Sequence, residues 1–143
     1  MIGFVGQYEH QMDPKGRVSL PSAFRRQGGG ERFVLMQWER ENLTLFPQEK
    51  WEELQAELLA FRRKNPRGAN QLRRLVANAV EVSPDKQGRI LVPAALQAAA
   101  GLSGGVLMVG AIDRVELWDP ERYRTAVDAD EGELGDFAHQ LFG

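Results

Sequence analysis

The sequence predicts an α+β fold, mainly β, in which two copies of one unit form a pseudo-two-fold β-barrel decorated with short helices. Three observations carry this reading. First, the pattern Asp-x-x-x-Arg followed by an apolar strand and Pro occurs twice. The copies are Asp13-Pro14-Lys15-Gly16-Arg17-Val18-Ser19-Leu20-Pro21 and, 72 residues further on, Asp85-Lys86-Gln87-Gly88-Arg89-Ile90-Leu91-Val92-Pro93. Second, residues 9–51 slide onto 81–123 without a gap and match at twelve of 43 positions, among them Glu9/Glu81, Ala23/Ala95 and the run Val34-Leu35-Met36 on Val106-Leu107-Met108. Chance gives roughly two or three matches at ordinary residue frequencies, so the chain is an internal duplication. Third, each copy holds four short strands, none longer than about five residues, which make poor sheets alone. Interleaving the two copies' hairpins would close a small barrel and hide the strand edges.

The elements follow in order. Residues 3–12 alternate as a strand, and Asp13-Pro14-Lys15-Gly16 is a turn, with Pro suited to its second position and Gly tolerant of positive φ. Arg17-Val18-Ser19-Leu20 returns as the second strand, which places the motif at a hairpin tip. Pro21-Ser22 opens a short helix from Ala23 to Gln27, and Gly28-Gly29-Gly30 ends it. Phe33-Val34-Leu35-Met36 and Leu43-Thr44-Leu45-Phe46 are the next strands, with Asn42 in the turn between them. Beyond Pro47, the residues Trp51, Leu54, Leu58 and Phe61 form an i, i+3, i+4, i+7 helical stripe.

The second copy repeats this script from Val80 to a helix starting at Pro120, with an Ala-rich helix, Ala94 to Ala100, closed by Gly101. Gly68 to Asn78 reads as a helix on Leu72, Leu75 and Val76, and Leu134 to Phe142 as a short helix with Phe137 and Leu141 on one side. The expected organisation is repeat 1 at 7–54, a helical linker at 55–78, repeat 2 at 79–124 and an acidic C-terminal tail at 125–143.

Composition narrows the class. An isolated repeat of about 45 residues has a marginal core unless metal, disulfide or a partner supports it. With no Cys in the chain, disulfides and thiolate metal sites are excluded. The two halves are therefore expected to share one core. No apolar run approaches membrane-spanning length and no basic-then-apolar secretion layout is seen, so a cytoplasmic address without membrane partners is expected. Net charge is −2, yet Asp128, Asp130, Glu131, Glu133 and Asp136 crowd the last sixteen residues. Residues 1–127 hold 18 basic and 15 acidic residues, a net of +3. From Arg62 to Arg74 a basic run has no intervening acid; a cationic binding face and a solvated linker face are both open to it.

Enzyme signals are weak. His10 and His139 form no metal-binding spacing, no phosphate-cradling Gly loop is present, and Ser22 and Ser103 lack an elbow-like setting. No cofactor or metal is expected, and the chain is not read as an enzyme. The hairpin tips are more informative. Arg17 and Arg89 each follow a Gly, Gly16 and Gly88, at the same place in the repeat. Arginine suits bidentate recognition of phosphate or a guanine edge, and a two-stranded β element fits the major groove. Lys15 and Lys86 add cationic charge, displaced by one residue between the copies. Two roles are open to Asp13 and Asp85: capping the turn's backbone N–H groups, or orienting the arginine four residues on. The plain alternative is a turn whose Arg simply pairs with its Asp.

These paired motifs, with Gly110 followed by Val115-Glu116-Leu117-Trp118-Asp119, resemble the MraZ family of bacterial transcriptional regulators, built of tandem AbrB-like (SpoVT-AbrB) domains. The resemblance covers residues 1–127. It implies a double-split, swapped-hairpin barrel, binding to double-stranded DNA and assembly into homo-oligomeric rings. It further implies control, through short direct promoter repeats, of the division and cell-wall gene cluster containing its own gene. Asp13, Lys15, Gly16, Arg17, Asp85, Lys86, Gly88 and Arg89 are then the expected DNA-binding residues. The alternative is a ring-forming scaffold without sequence-specific DNA binding. The acidic end beyond Asp128 carries no family motif.

Overall fold

The structure is a computed structural model that describes residues 3–129 and 132–143, so Asp130 and Glu131 of the acidic tail lie outside the described residues. The first repeat contains β1 (Gln7–Gln11), β2 (Arg17–Ser19), α1 (Ser22–Gln27), β3 (Phe33–Met36), β4 (Leu43–Pro47) and α2 (Gln48–Lys64). A 3₁₀ turn, Pro66–Gly68, leads into α3 (Ala69–Ala77). The second repeat contains β5 (Val80–Val82), β6 (Arg89–Leu91), α4 (Ala94–Ala100), β7 (Gly105–Gly110), β8 (Val115–Trp118) and α5 (Pro120–Asp128), and α6 (Leu134–Phe142) follows. The strand expected over 3–12 is shorter, because the chain turns at Gly6 (φ 88°) and leaves Phe4 in an isolated bridge to Ile112.

Six strands form one antiparallel sheet in the order β1-β7-β8-β4-β3-β5, while β2 and β6 pair as a separate ribbon. The expected barrel therefore does not close among the described residues. The cause is local: β2 and β6 have three residues each and their ladder joins only each other, which leaves β1 and β5 as sheet edges. The repeats are nonetheless interleaved. β1 of the first pairs with β7 of the second, and β5 of the second pairs with β3 of the first. Two pairs of equivalent residues face each other directly, Val18 with Ile90 in the ribbon and Thr44 with Glu116 in the sheet, and they mark the pseudo-two-fold axis.

One core lies between sheet and ribbon and draws on both repeats. Val18, Leu20, Phe24, Leu35 and Leu45 meet Ile90, Val92, Leu96, Met108 and Leu117, all essentially sealed from solvent. Each such side chain contributes about 1.5–3 kcal/mol of burial free energy, so a half-chain would lose much of its stabilisation. On the sheet's other face α2 and α3 cover Val34, Met36 and Phe46, with Leu54, Leu58 and Leu75 packed against them.

The core corrects the gapless superposition of the repeats. Leu35 pairs with Leu45, and Met108 pairs with Leu117, all four facing the shared core. Leu45 and Leu117 are 72 residues apart, but Leu35 and Met108 are 73 apart. In β7 the structural equivalence has slipped by one, so Val34 and Met36 face the helices while their sequence matches Val106 and Met108 face the core. A strand alternates sides every residue, and a slip of one exchanges its faces. The matching Val-Leu-Met runs hide this because both faces of the sheet are apolar there.

Candidate nucleic-acid interface

The site is built from two tight turns joined by a two-stranded ribbon. In the first turn the Gly16 N–H donates to the Asp13 carbonyl (3.0 Å) and the Asp13 N–H donates to the Arg17 carbonyl (2.8 Å). The second turn repeats both bonds, Gly88 to Asp85 (2.9 Å) and Asp85 to Arg89 (2.8 Å). Gly16 and Gly88 take φ values of 88° and 80°, in the left-handed region where a side chain is disfavoured. Each turn is buttressed by the other repeat: Leu20 N–H donates to the Gly88 carbonyl (2.9 Å), and Val92 N–H to that of Gly16 (2.8 Å).

Asp13 and Asp85 perform both roles open to them. The Asp13 Oδ1 accepts the N–H groups of Lys15 (2.9 Å) and Arg17 (2.8 Å), and its Oδ2 accepts Arg17 Nε (2.8 Å). The Asp85 Oδ1 accepts the N–H groups of Gln87 (2.9 Å) and Arg89 (2.9 Å), and its Oδ2 accepts Arg89 Nε (3.0 Å). The bond from the Arg17 backbone N–H is the main cause holding the Asp13 carboxyl below its ordinary pKa, with the guanidinium assisting; partial desolvation opposes them. Asp85 is lowered in the same way, first by the Arg89 N–H. Both carboxylates stay ionised near neutrality and hold Nε, which leaves the outer Nη edge of Arg17 without a hydrogen bond among the described residues.

Val18 and Ile90 point into the core, so the alternate ribbon residues Arg17, Ser19, Arg89 and Leu91 share the outer face. Neither arginine is sealed: their side chains keep 35% and 28% of their accessible surface. Arg89 Nη1 also lies 3.9 Å from Asp13 Oδ2, so a single carboxylate touches both guanidinium groups. Lys15 and Lys86 are exposed on the turns. All eight expected residues are thus brought to two adjacent turns, although Gly16 and Gly88 are buried and shape the backbone rather than present it.

Sequence reasoning missed Arg25. Its Nη1 donates to the Leu20 carbonyl (2.7 Å) and, more weakly, to that of Gly88 (3.4 Å), placing a cation against the second turn. Gln97, 72 residues on, donates to the Val92 carbonyl (2.7 Å) and covers the first turn. Their matched position in the repeat was the available signal. With Arg25 the ribbon and turns carry five cations (Lys15, Arg17, Arg25, Lys86, Arg89) against Asp13 and Asp85, a local net of +3 on a chain of net −2.

Fold and site together define a class: a fused duplicate that joins its repeats by exchanged strands and presents paired Asp–Arg turns on one cationic ribbon. The family model described as "MraZ protein, putative antitoxin-like" matches the chain twice, over residues 4–74 and 75–139. A "Transcriptional regulator MraZ" of Acetivibrio thermocellus is 42% identical over 124 residues, 85% of each chain. Proteins of the same name from Leuconostoc citreum (36% over 141 residues, 96% of each chain) and Herpetosiphon aurantiacus (38% over 126 residues, 88% of this chain and 87% of the relative) are similar too. The chain belongs to the MraZ family.

Proposed function

We propose that this protein is a sequence-specific DNA-binding transcriptional regulator, and that the β2–β6 ribbon is its DNA-reading surface. The observation that carries the reading is the presence of Arg17 and Arg89 on one outer face, each held at Nε by its own aspartate. A guanidinium fixed in this way loses little freedom on meeting a phosphate or a guanine edge. Lys15, Lys86 and Arg25 add phosphate attraction, while Asp13, Asp85, Gly16 and Gly88 set the shape of the turns. The names of the relatives support regulation of transcription.

The finer reading is that residues 7–54 and 79–124 are AbrB-like repeats, joined by the linker 55–78 and followed by the tail 125–143. The exchange of β1 and β5 supports an open form of the double-split, swapped-hairpin arrangement. The targets are short direct repeats in the promoter of the protein's own division and cell-wall gene cluster, which gives it a nucleoid-associated cytoplasmic place. Among the described residues no helix is long and apolar enough to cross a membrane. A few contacts per chain bind weakly, and a homo-oligomeric ring engaging several repeats gains about 10²–10⁴ in avidity.

A gel shift on DNA upstream of the protein's own gene, against a shuffled fragment, tests this. Arg17→Ala should weaken promoter binding at least tenfold with the oligomer intact. Equal binding to the shuffled fragment, or no loss with Arg17→Ala, rejects the assignment.

A further inference from the structure

Away from the ribbon, two surfaces of the same chain have opposite charge and bare apolar side chains. The first is α6, where Leu134, Phe137 and Leu141 follow one another at i, i+3 and i+7, with Phe142 beside them. They are 81%, 56%, 59% and 87% exposed, so α6 is not packed on its own chain. An isolated nine-residue helix is marginal in water, and one with a bare apolar stripe calls for a partner. Its surroundings are acidic: Glu133 and Asp136 lie on or beside it, and Asp128, Asp130 and Glu131 precede it. The second surface is the α2–α3 helical pair, where Leu59, Phe61 and Val76 remain exposed on the side away from the sheet. There the Arg62-to-Arg74 run supplies six cations (Arg62, Arg63, Lys64, Arg67, Arg73 and Arg74) and no acid.

We infer that α6 of one copy docks on the α2–α3 pair of a second copy, apolar stripe against apolar patch, with acids meeting the basic run around the rim. The inference rests on the proposed ring and names the contact that builds it. Such a contact is head-to-tail: each copy gives one α6 and receives another, so the assembly closes into a ring when the rotation allows. A short helix makes each single contact weak, and ring closure turns the last one into an intramolecular event. It also assigns the basic run to assembly, which leaves DNA to the ribbon.

The absence of native cysteine allows a direct test without DNA. Chains carrying only Phe142→Cys are mixed with chains carrying only Val76→Cys, and a short bis-maleimide is added. The expected product is a cross-linked pair of twice the chain mass, at least tenfold more abundant in the mixture than in either variant alone. Cross-linking of α6 to α6 in the single variant, or a link within one chain when both cysteines share it, overturns the inference. Light scattering on the cysteine variants before cross-linking separates this contact from the ring itself. A multi-subunit mass without the mixed cross-link removes the contact and leaves the ring, whereas a 16.0 kDa monomer removes both. The double variant Phe137→Asp/Leu141→Asp should lower the mass to one chain while its thermal melt stays cooperative, since α6 is outside the shared core; an unchanged mass overturns the docking. Loss or retention of promoter binding by Arg17→Ala is read separately and decides only the DNA assignment.

Discussion

Replacing the two turn glycines by alanine should have unequal effects, although the turns look alike. At both positions the left-handed φ costs an L-residue roughly 1–2 kcal/mol, offset by about 0.4–1 kcal/mol from the stiffer unfolded chain. The neighbours differ. At Gly88 the nearest atoms to a new Cβ all belong to the Arg25 guanidinium, the mobile end of a long side chain. Swinging it away surrenders its bond to the Leu20 carbonyl (2.7 Å), about 1 kcal/mol. At Gly16 the Gln97 amide must likewise leave the Val92 carbonyl, at similar cost, but the Cβ also falls 2.8 Å from the Val92 oxygen itself. That oxygen is backbone, in a residue whose own N–H is tied to the Gly16 carbonyl (2.8 Å), so it cannot swing aside. Relieving such an overlap costs a further ~1–3 kcal/mol. Gly88→Ala should therefore lose about 2 kcal/mol and Gly16→Ala about 3–4 kcal/mol. Urea unfolding followed by tryptophan fluorescence, at one fixed protein concentration, measures both. Equal losses, or a larger loss at Gly88, would refute the reasoning that a fixed carbonyl separates the turns.

Other outcomes follow from the same geometry. Ile90→Ala should cost about 2–5 kcal/mol in urea unfolding, because Ile90 is wholly buried on the pseudo-axis, while Leu91→Ala beside it, 53% exposed, should cost under about 0.5 kcal/mol. Phe24→Ala should cost about 3–5 kcal/mol, since Phe24 is buried and meets Phe4 and Tyr8 edge-on at 5.8 and 5.2 Å. The lowered carboxyls of Asp13 and Asp85 predict a sign in acid. Their stabilisation is fully present above the unfolded value near 3.8 and is lost as pH falls through the lower folded values, so Asp13→Asn/Asp85→Asn should flatten the acid limb of the stability curve. In promoter binding, Arg17→Ala or Arg89→Ala should each lower the slope of log affinity against log salt by about 1 if its guanidinium meets a phosphate. An unchanged slope with lost sequence preference would point to a base contact instead.

Much of this molecule was legible in the chain because its punctuation is strong. Pro21, Pro47, Pro93 and Pro120 each stand at the threshold of a helix, and Gly28 and Gly101 each close one. The Asp-to-Arg turns were legible as well, since only a residue tolerant of positive φ fits between them. Pairing was harder to read. Nothing in the alternation of Gln7 to Gln11 says that its neighbour is β7, because period-two patterning marks a strand's faces and not its partner. The slip in β7 escaped for the same reason: identical Val-Leu-Met triplets outweigh a shift of one residue when both faces are apolar. Asn42, expected simply to assist a turn, is fully buried, and its Nδ2 reaches Glu39 at 3.4 Å. Arg25 lay unnoticed in a helix that was read only for its apolar side.

The exchanged strands also constrain the protein's birth. When the ribosome has released β1, its partner β7 is still some 95 residues away, and at about 5–20 residues per second the wait is roughly 5–20 s. During that interval the leading half carries an open strand edge and half a core, and on a crowded polysome the nearest matching edge belongs to a neighbouring nascent chain. Fusion of the two repeats into one polypeptide keeps the correct partner tethered, so the covalent linker acts as an address label as well as a spacer.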